Sequence, residues 1–352
     1  MIPVYATRED VMRALDSKLT ARNAAQIDRQ LQAASRDADK LCHRRFYPEQ
    51  ATRYFDWPSS QYGTSWRLWL DDSELISVTE ISSGGTTIST SDILLEPNRS
   101  GPPYSRLELN IGSDASFGGG DTHQRDITVT GLWGYTNDET PAGTLAAAVS
   151  DSAVTTVTVD ADGAAGLGVG SVIRIGDERL LVTGRAMAAS GQTLGADIDQ
   201  QVKTVTLPVA DTGQFAVDEV ILIDAERMLI VDIAGNTLIV KRAWDGSANT
   251  AHTTGATVYA LRALTVTRGA LGTTATGHSS NASVYRWEPP ALVRQLVIAQ
   301  AINGLTSETS GYSRAVRAGE GSSERARDTG AIAALRQAVY DAVGRKARMR
   351  SV

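Results

Sequence analysis

The chain has 352 residues, is 42% hydrophobic and 21% charged, and carries a formal net charge of −6 at pH 7. Its length exceeds what one ordinary core holds and implies two or three domains, while the acidic balance excludes a molecule that wraps nucleic acid with its whole surface. A single cysteine, Cys42, excludes an internal disulfide and a thiolate zinc cage.

The opening segment, MIPVYATRED, has no cationic stretch leading into an apolar one, so no secretory leader is expected and the chain is expected to fold in a cytoplasm. Thr7 and Asp10 are spaced as a capping box and open a short helix carrying Val11, Leu15 and Leu19. A longer helix is predicted within residues 20–48. Thr20 is its N-cap, Ile27, Leu31, Ala34, Ala38 and Leu41 fall on one face, and Pro48 ends it. Cys42, beside Leu41, reads as a small buried hydrophobe. Such a helix needs something to pack on, and the best partner is the apolar run at residues 289–305. After Pro48 the pattern alternates. TRYFDWP, WRLWLDD, ELISVTEISSGGTTIS, residues 107–111 and DITVTG (126–131) read as strands, with Gly84-Gly85 as a hairpin turn.

A boundary is expected at NDETPAG (137–143), where an internal repeat begins. VTTVTV at 154–159 returns as VKTVTL at 202–207, and VIRIGDERLLV at 172–182 returns as VILIDAERMLI, both at a shift of 48. A second repeat, at a shift of 26, relates 238–259 to 264–285 and superimposes Arg242 on Arg268 and His252 on His278. An antiparallel β domain grown by duplication is predicted, closed as a small barrel or stacked as a sandwich. Pro289 and Pro290 then open a helix with Leu292, Val293, Leu296, Val297, Ala301, Ile302 and Leu305 on its apolar stripe. Residues 306–329 are polar and read as flexible or ordered only by a partner. A last helix starts at Asp328 or Thr329, with Ile332, Leu335, Val339 and Val343 along its edge. From Tyr312 onward nine basic residues face four acidic ones, so the tail is +5 and the remainder −11. The fold class is therefore α+β. Residues 1–140 and 287–352 form a helical domain with strands, and residues 141–286 form an inserted all-β antiparallel domain.

No constellation in the sequence calls for catalysis. The run from Gly166 to Gly170 leads into a strand, not into the helix that a phosphate cradle requires. Asp160-Ala-Asp-Gly163 lacks the downstream Glu of a calcium loop and reads as a turn. Asp71-Asp72-Ser73-Glu74 and Asp177-Glu178 sit at strand ends and read as solvated turns. His252 and His278, with Arg242 and Arg268, have a repeated turn or packing role, and His43 suits a helix end. No metal or cofactor is expected. The basic end, with Arg336, Arg345, Lys346, Arg348 and Arg350, reads either as a solvated helix terminus or as a tail that docks on an acidic partner.

Taken together, the paired N-terminal helices ending in RRFYP (44–48), the ITVTGLWGY strand and the Pro-led helix PPALVRQLVIAQAI resemble the head-to-tail connector (adaptor) proteins of long-tailed bacteriophages. The matching positions are Arg44, Phe46 and Pro48, then Gly131, Gly134 and Tyr135, then Pro289. The resemblance covers residues 5–136 and 287–352, and the duplicated β domain is the departure from the compact pattern. It implies a structural virion protein at the neck, not an enzyme. Such proteins form a homo-oligomeric ring, commonly of twelve subunits, between the portal and a tail-side neck, stopper or terminator protein. DNA passes through the lumen without specific binding, and no membrane is involved. The basic tail would then face the portal and the β insert would face outward. The competing expectation is another neck, tail-completion or decoration protein whose repeats, with an exposed Trp244, bind capsid or host-surface glycans.

Overall fold

The chain is α+β, with five helices and seventeen strands among the residues described by the computed structural model, which are 2–15, 21–58, 64–99, 101–309 and 329–346. The helices are α1 (Arg8–Leu15), α2 (Ala21–Cys42), α3 (Ala161–Gly166), α4 (Ala291–Thr309) and α5 (Thr329–Val343). The first seven strands are β1 (Glu49–Phe55), β2 (Arg67–Trp69), β3 (Leu75–Ser83), β4 (Thr86–Ile88), β5 (Ile93–Glu96), β6 (Arg106–Leu109) and β7 (Ile127–Trp133). The other ten are β8 (Glu139–Thr144), β9 (Thr156–Thr158), β10 (Val172–Ile175), β11 (Glu178–Thr193), β12 (Thr206–Pro208), β13 (Val220–Ile223), β14 (Glu226–Ala234), β15 (Thr237–Lys241), β16 (Thr257–Thr267) and β17 (Ser283–Trp287). Two compact units result. One holds Met1–Arg36, Glu139–Trp287 and Ala291–Arg336, and the other holds Asp37–Asp138, Glu288–Pro290 and Gln337–Val352. These boundaries differ from a split at residues 140 and 287, because α1, the first part of α2 and α4 group with the duplicated strands.

In the first unit, Thr7 and Asp10 cap α1 reciprocally: Thr7 N–H donates to Asp10 at 2.9 Å and Asp10 N–H to Thr7 Oγ1 at 3.1 Å. Asp10 also holds Arg294 of α4 at 2.7 Å. In α2, Ile27, Leu31 and Ala34 are buried as their spacing predicts, and Gln30 and Arg29 reach Glu308 on α4. The polar run from residue 306 is helical up to Thr309, since α4 extends there; residues 310–328 lie outside the described residues, as does Thr20.

The ten strands β8–β17 form one antiparallel path, β12-β15-β14-β13-β16-β11-β10-β17-β8, with β9 on β16. The path closes on itself twice, as expected of a small barrel: the bridge Leu145↔Val159 joins the end of β8 to that of β9, and Leu194↔Val209 joins the end of β11 to that of β12. Two separate cores explain it. Leu145, Val149, Val157, Ile173, Ile175, Leu180 and Val182 pack with Leu264, Val266 and Val284. Leu194, Ile198, Leu207, Ile221, Ile223, Met228 and Ile230 pack with Leu238, Val240 and Val258 in the same order. The two sequence repeats are thus halves of one duplicated module, and the second copy (residues 194–260) is inserted inside the first (145–182 and 264–284). The long strands β11 and β16, paired from Leu181↔Thr267 to Thr193↔Thr257, run through both copies.

The register needs one correction. Val157 pairs with Leu264, and Leu207 with Leu238, which is Leu264's equivalent at the shift of 26. Val157 therefore corresponds to Leu207, at a shift of 50 and not 48. The Asp160 segment is corrected too: it is the N-cap of α3, accepting from Gly163 N–H at 2.9 Å, and not a bare turn.

In the second unit, β1-β7-β3-β4 and β2-β6-β5 enclose a core of Phe55, Leu68, Leu70, Leu75, Ile81, Leu107, Ile127, Val129 and Trp133. The alternating burial of β7 accounts for its central place. Gly84-Gly85 joins β3 to β4 as predicted. Helix α2 stops at Cys42, before Pro48, because His43 takes a left-handed conformation (φ 52°) that turns the chain out of the helix. Cys42 is buried and Leu41 only half-buried.

Candidate functional site

The residues that recur in the repeats form two buried clusters within the first unit. In the second copy, Arg242 grips Glu226 in a fork, Nε to Oε1 at 2.9 Å and Nη2 to Oε2 at 2.6 Å. Ala243 and Thr250 N–H groups donate to the same carboxylate at 2.9 and 3.0 Å, and His252 Nε2 lies 3.0 Å from it. In the first copy Arg268 grips Glu178 at 2.7 and 2.8 Å, with Gly269 N–H, Thr276 N–H and His278 in the matching positions. Five partners fill the roughly four lone-pair positions of each carboxylate. Nη1 donates to the carbonyl of Asp199 in one copy and to those of Asp151 and Val154 in the other, while Nη2 also donates to Thr250 O and Thr276 O respectively. Each cluster thereby clamps two loops to the end of a strand. The copies differ at one point: Asp224 lies 2.8 Å from His252 Nδ1, where the first copy has Gly176.

Glu178 is not a solvated turn residue, because its side chain is buried, as is that of Glu226. Burial pushes both carboxyls up, but the guanidinium, the two backbone N–H groups and the imidazole outweigh it and bring each from 4.5 down to about 2. A carboxyl lowered in the folded state stabilises the fold fully above its unfolded value and loses that contribution as pH falls through the folded one. Stability is therefore expected to fall between about pH 4.5 and 2. A Glu178→Gln, Glu226→Gln double variant should show a flatter unfolding-versus-pH curve over that window; an unchanged curve would refute the assignment.

In the second unit, the two motif segments lie against each other. Tyr135 N–H donates to Arg45 O at 3.1 Å, Gly134 N–H to Glu74 O at 2.9 Å, and the Phe46 and Tyr135 rings meet edge to face at 5.4 Å. Arg44 lies over the Tyr135 ring at 5.2 Å. Only glycine fits at 134 (φ 143°), since a Cβ there would stand 2.3 Å from Tyr47 O and 3.2 Å from the Pro48 Cα. A Cβ on Gly131 would lie 2.2 Å from Ser77 O. Pro289 stands just before α4, after Glu288 N–H bonds Asp138 O at 2.8 Å.

The same unit has a polar cleft of about 600 Å3 lined by Lys40, Arg44, Arg45, Arg53 and Lys346 and by Asp39, Glu49, Asp72 and Glu74. After α5, Lys346 N–H donates to Cys42 O at 3.0 Å and its ammonium to Ser73 O at 2.7 Å, while Arg345 reaches His43. Arg336 lies in α5; Arg348 and Arg350 lie outside the described residues. Glu74 is held by Arg44 at 2.8 Å and is mostly buried, contrary to a solvated turn.

A second cleft, of about 610 Å3 in the first unit, is lined by residues of α1, α3 and the second module copy, including Trp244. Trp244 is half-buried, not exposed, with the Lys241 ammonium 4.8 Å from its ring centre. No group of His, Cys, Asp and Glu among the described residues is arranged to hold a metal ion. No described helix is long and apolar enough to cross a membrane. Comparison with family models, with curated proteins and with solved structures gave no match.

Proposed function

We propose that the chain is a structural head-to-tail adaptor of a long-tailed phage, assembled as a ring between portal and tail-side neck proteins. The observation that carries this reading is the meeting of the two motif segments, residues 44–48 and 131–135, around Gly134 and the Phe46–Tyr135 contact. These segments carry the resemblance to the family pattern, and they are far apart in the chain. The acidic balance of the body outside the tail suits a lumen through which DNA slides without being held. The duplicated module, with its clamped loops, is the rigid decoration on that body, and it faces outward.

Native mass measurement of the protein mixed with portal tests the reading. A ring-sized complex is expected, and deletion of residues 345–352 should weaken it. A chain that stays monomeric with portal present would overturn the proposal.

A further inference from the structure

The polar cleft of the second unit is short of one negative charge. Five cations line it against four carboxylates, and the cations share their partners. Glu49 serves both Arg45 at 3.5 Å and Arg53 at 3.8 Å. Glu74 is bonded to Arg44 at 2.8 Å, and Lys346 takes a backbone carbonyl, Ser73 O, in place of a carboxylate. Arg44 Nε is buried with no acceptor. Arg53 lies over Trp133, its guanidinium carbon 4.5 Å from the ring centre, a cation–π contact that holds it in place. Burial, with Arg44 and Arg53 nearby, pushes the Lys346 ammonium down from its ordinary value, and burial with Arg45 does the same to Arg53. An added anion would relieve both.

We infer that this cleft is a receptor for one carboxylate side chain on an acidic segment of another protein, received by Lys346 and Arg53. A nucleic-acid backbone fits less well. About 600 Å3 admits a single side chain, not a duplex, and the one-charge deficit matches one carboxylate, not a run of phosphates. The inference deepens the tail-docking part of the proposed function by giving it a receptor site, but it rests on the cleft and not on ring assembly.

Calorimetric titration of the full chain with a hexaglutamate peptide at low salt tests it, with inorganic phosphate and a short DNA duplex as competing probes. The peptide should bind. Lys346→Met and Arg53→Gln should each weaken it by about fivefold or more, as loss of a partly desolvated charge does, and Arg13→Gln, outside the cleft, should not. Thermal melts establish that the variants fold. Absence of binding, binding unchanged in both cleft variants, or preference for phosphate or duplex over peptide would overturn the assignment. A protein that binds the peptide yet forms no ring with portal would refute the adaptor reading alone.

Discussion

Arg242→Ala is expected to destabilise the second module copy by about 3–5 kcal/mol, the range for removing one partner of a buried ion pair. Both side chains of the Arg242–Glu226 pair are fully enclosed at 2.6 Å. Without the guanidinium, Glu226 keeps two backbone N–H groups and His252 but loses its counter-charge. The carbonyls of Asp199 and Thr250 lose their donor at the same moment. Replacing both members with leucine should be milder than the single change, because no buried charge is then stranded. Arg268→Ala should act alike but on the other core. Amide exchange would separate them, with protection lost around Leu207 and Val240 for Arg242→Ala and around Val157 and Val266 for Arg268→Ala. A loss under about 1 kcal/mol, typical of an exposed pair, would show that the cluster is not a clamp.

That cluster marks both how far sequence reasoning reached and where it stopped. Arg242/Arg268 and His252/His278 were visible because they coincide at a shift of 26, and Glu178/Glu226 coincide at 48. The two periods are halves of one nested module, so the carboxylate and its cationic partners do not recur at a common shift. A residue type recurring in both repeats was the signal. Its burial was hidden, because a Glu next to a turn Asp looks solvated until an arginine 16 or 90 residues away is brought onto it. Local features fared better, since capping at Thr7–Asp10, the Gly84-Gly85 hairpin and the buried face of α2 depend on neighbours in sequence. The end of α2 was missed because Pro48 outweighed a left-handed His43, which no local rule requires. The basic cleft joins residues 40–53 to Lys346, a juxtaposition with no trace in spacing or composition.

The nested duplication also explains why the N-terminal segment sits where it does, and converting one copy's loop into the other should release it. The loops before β10 and β13 share their bonding. Gly170 N–H to Val182 O matches Asp218 N–H to Ile230 O, both at 2.9 Å, and Ser171 N–H to Gly168 O (3.0 Å) matches Glu219 N–H to Ala216 O (3.3 Å). Only the first loop is covered. Arg8 N–H donates to Val169 O at 3.0 Å and Val169 N–H to Glu9 at 2.8 Å, leaving Val169 3% exposed against 47% for Val217. The glycines decide this. A Cβ at 168 would lie 2.2 Å from Glu9 Oε2, and one at 170 would lie 2.6 Å from Val4 Cγ2. The second copy carries Ala216 and Asp218 in those places, so it rejects the segment. Gly168→Ala with Gly170→Asp should therefore cost about 1–3 kcal/mol of seating. Tryptic cleavage after Arg8 should accelerate by about tenfold for each 1.4 kcal/mol lost. Ala216→Gly in the uncovered loop should change neither rate nor stability by a comparable amount. Equal cleavage in the parent and the double variant would mean that the segment is held from elsewhere, by Tyr5 N–H on Ser35 and the Asp10–Arg294 pair, and that the glycine seats are incidental.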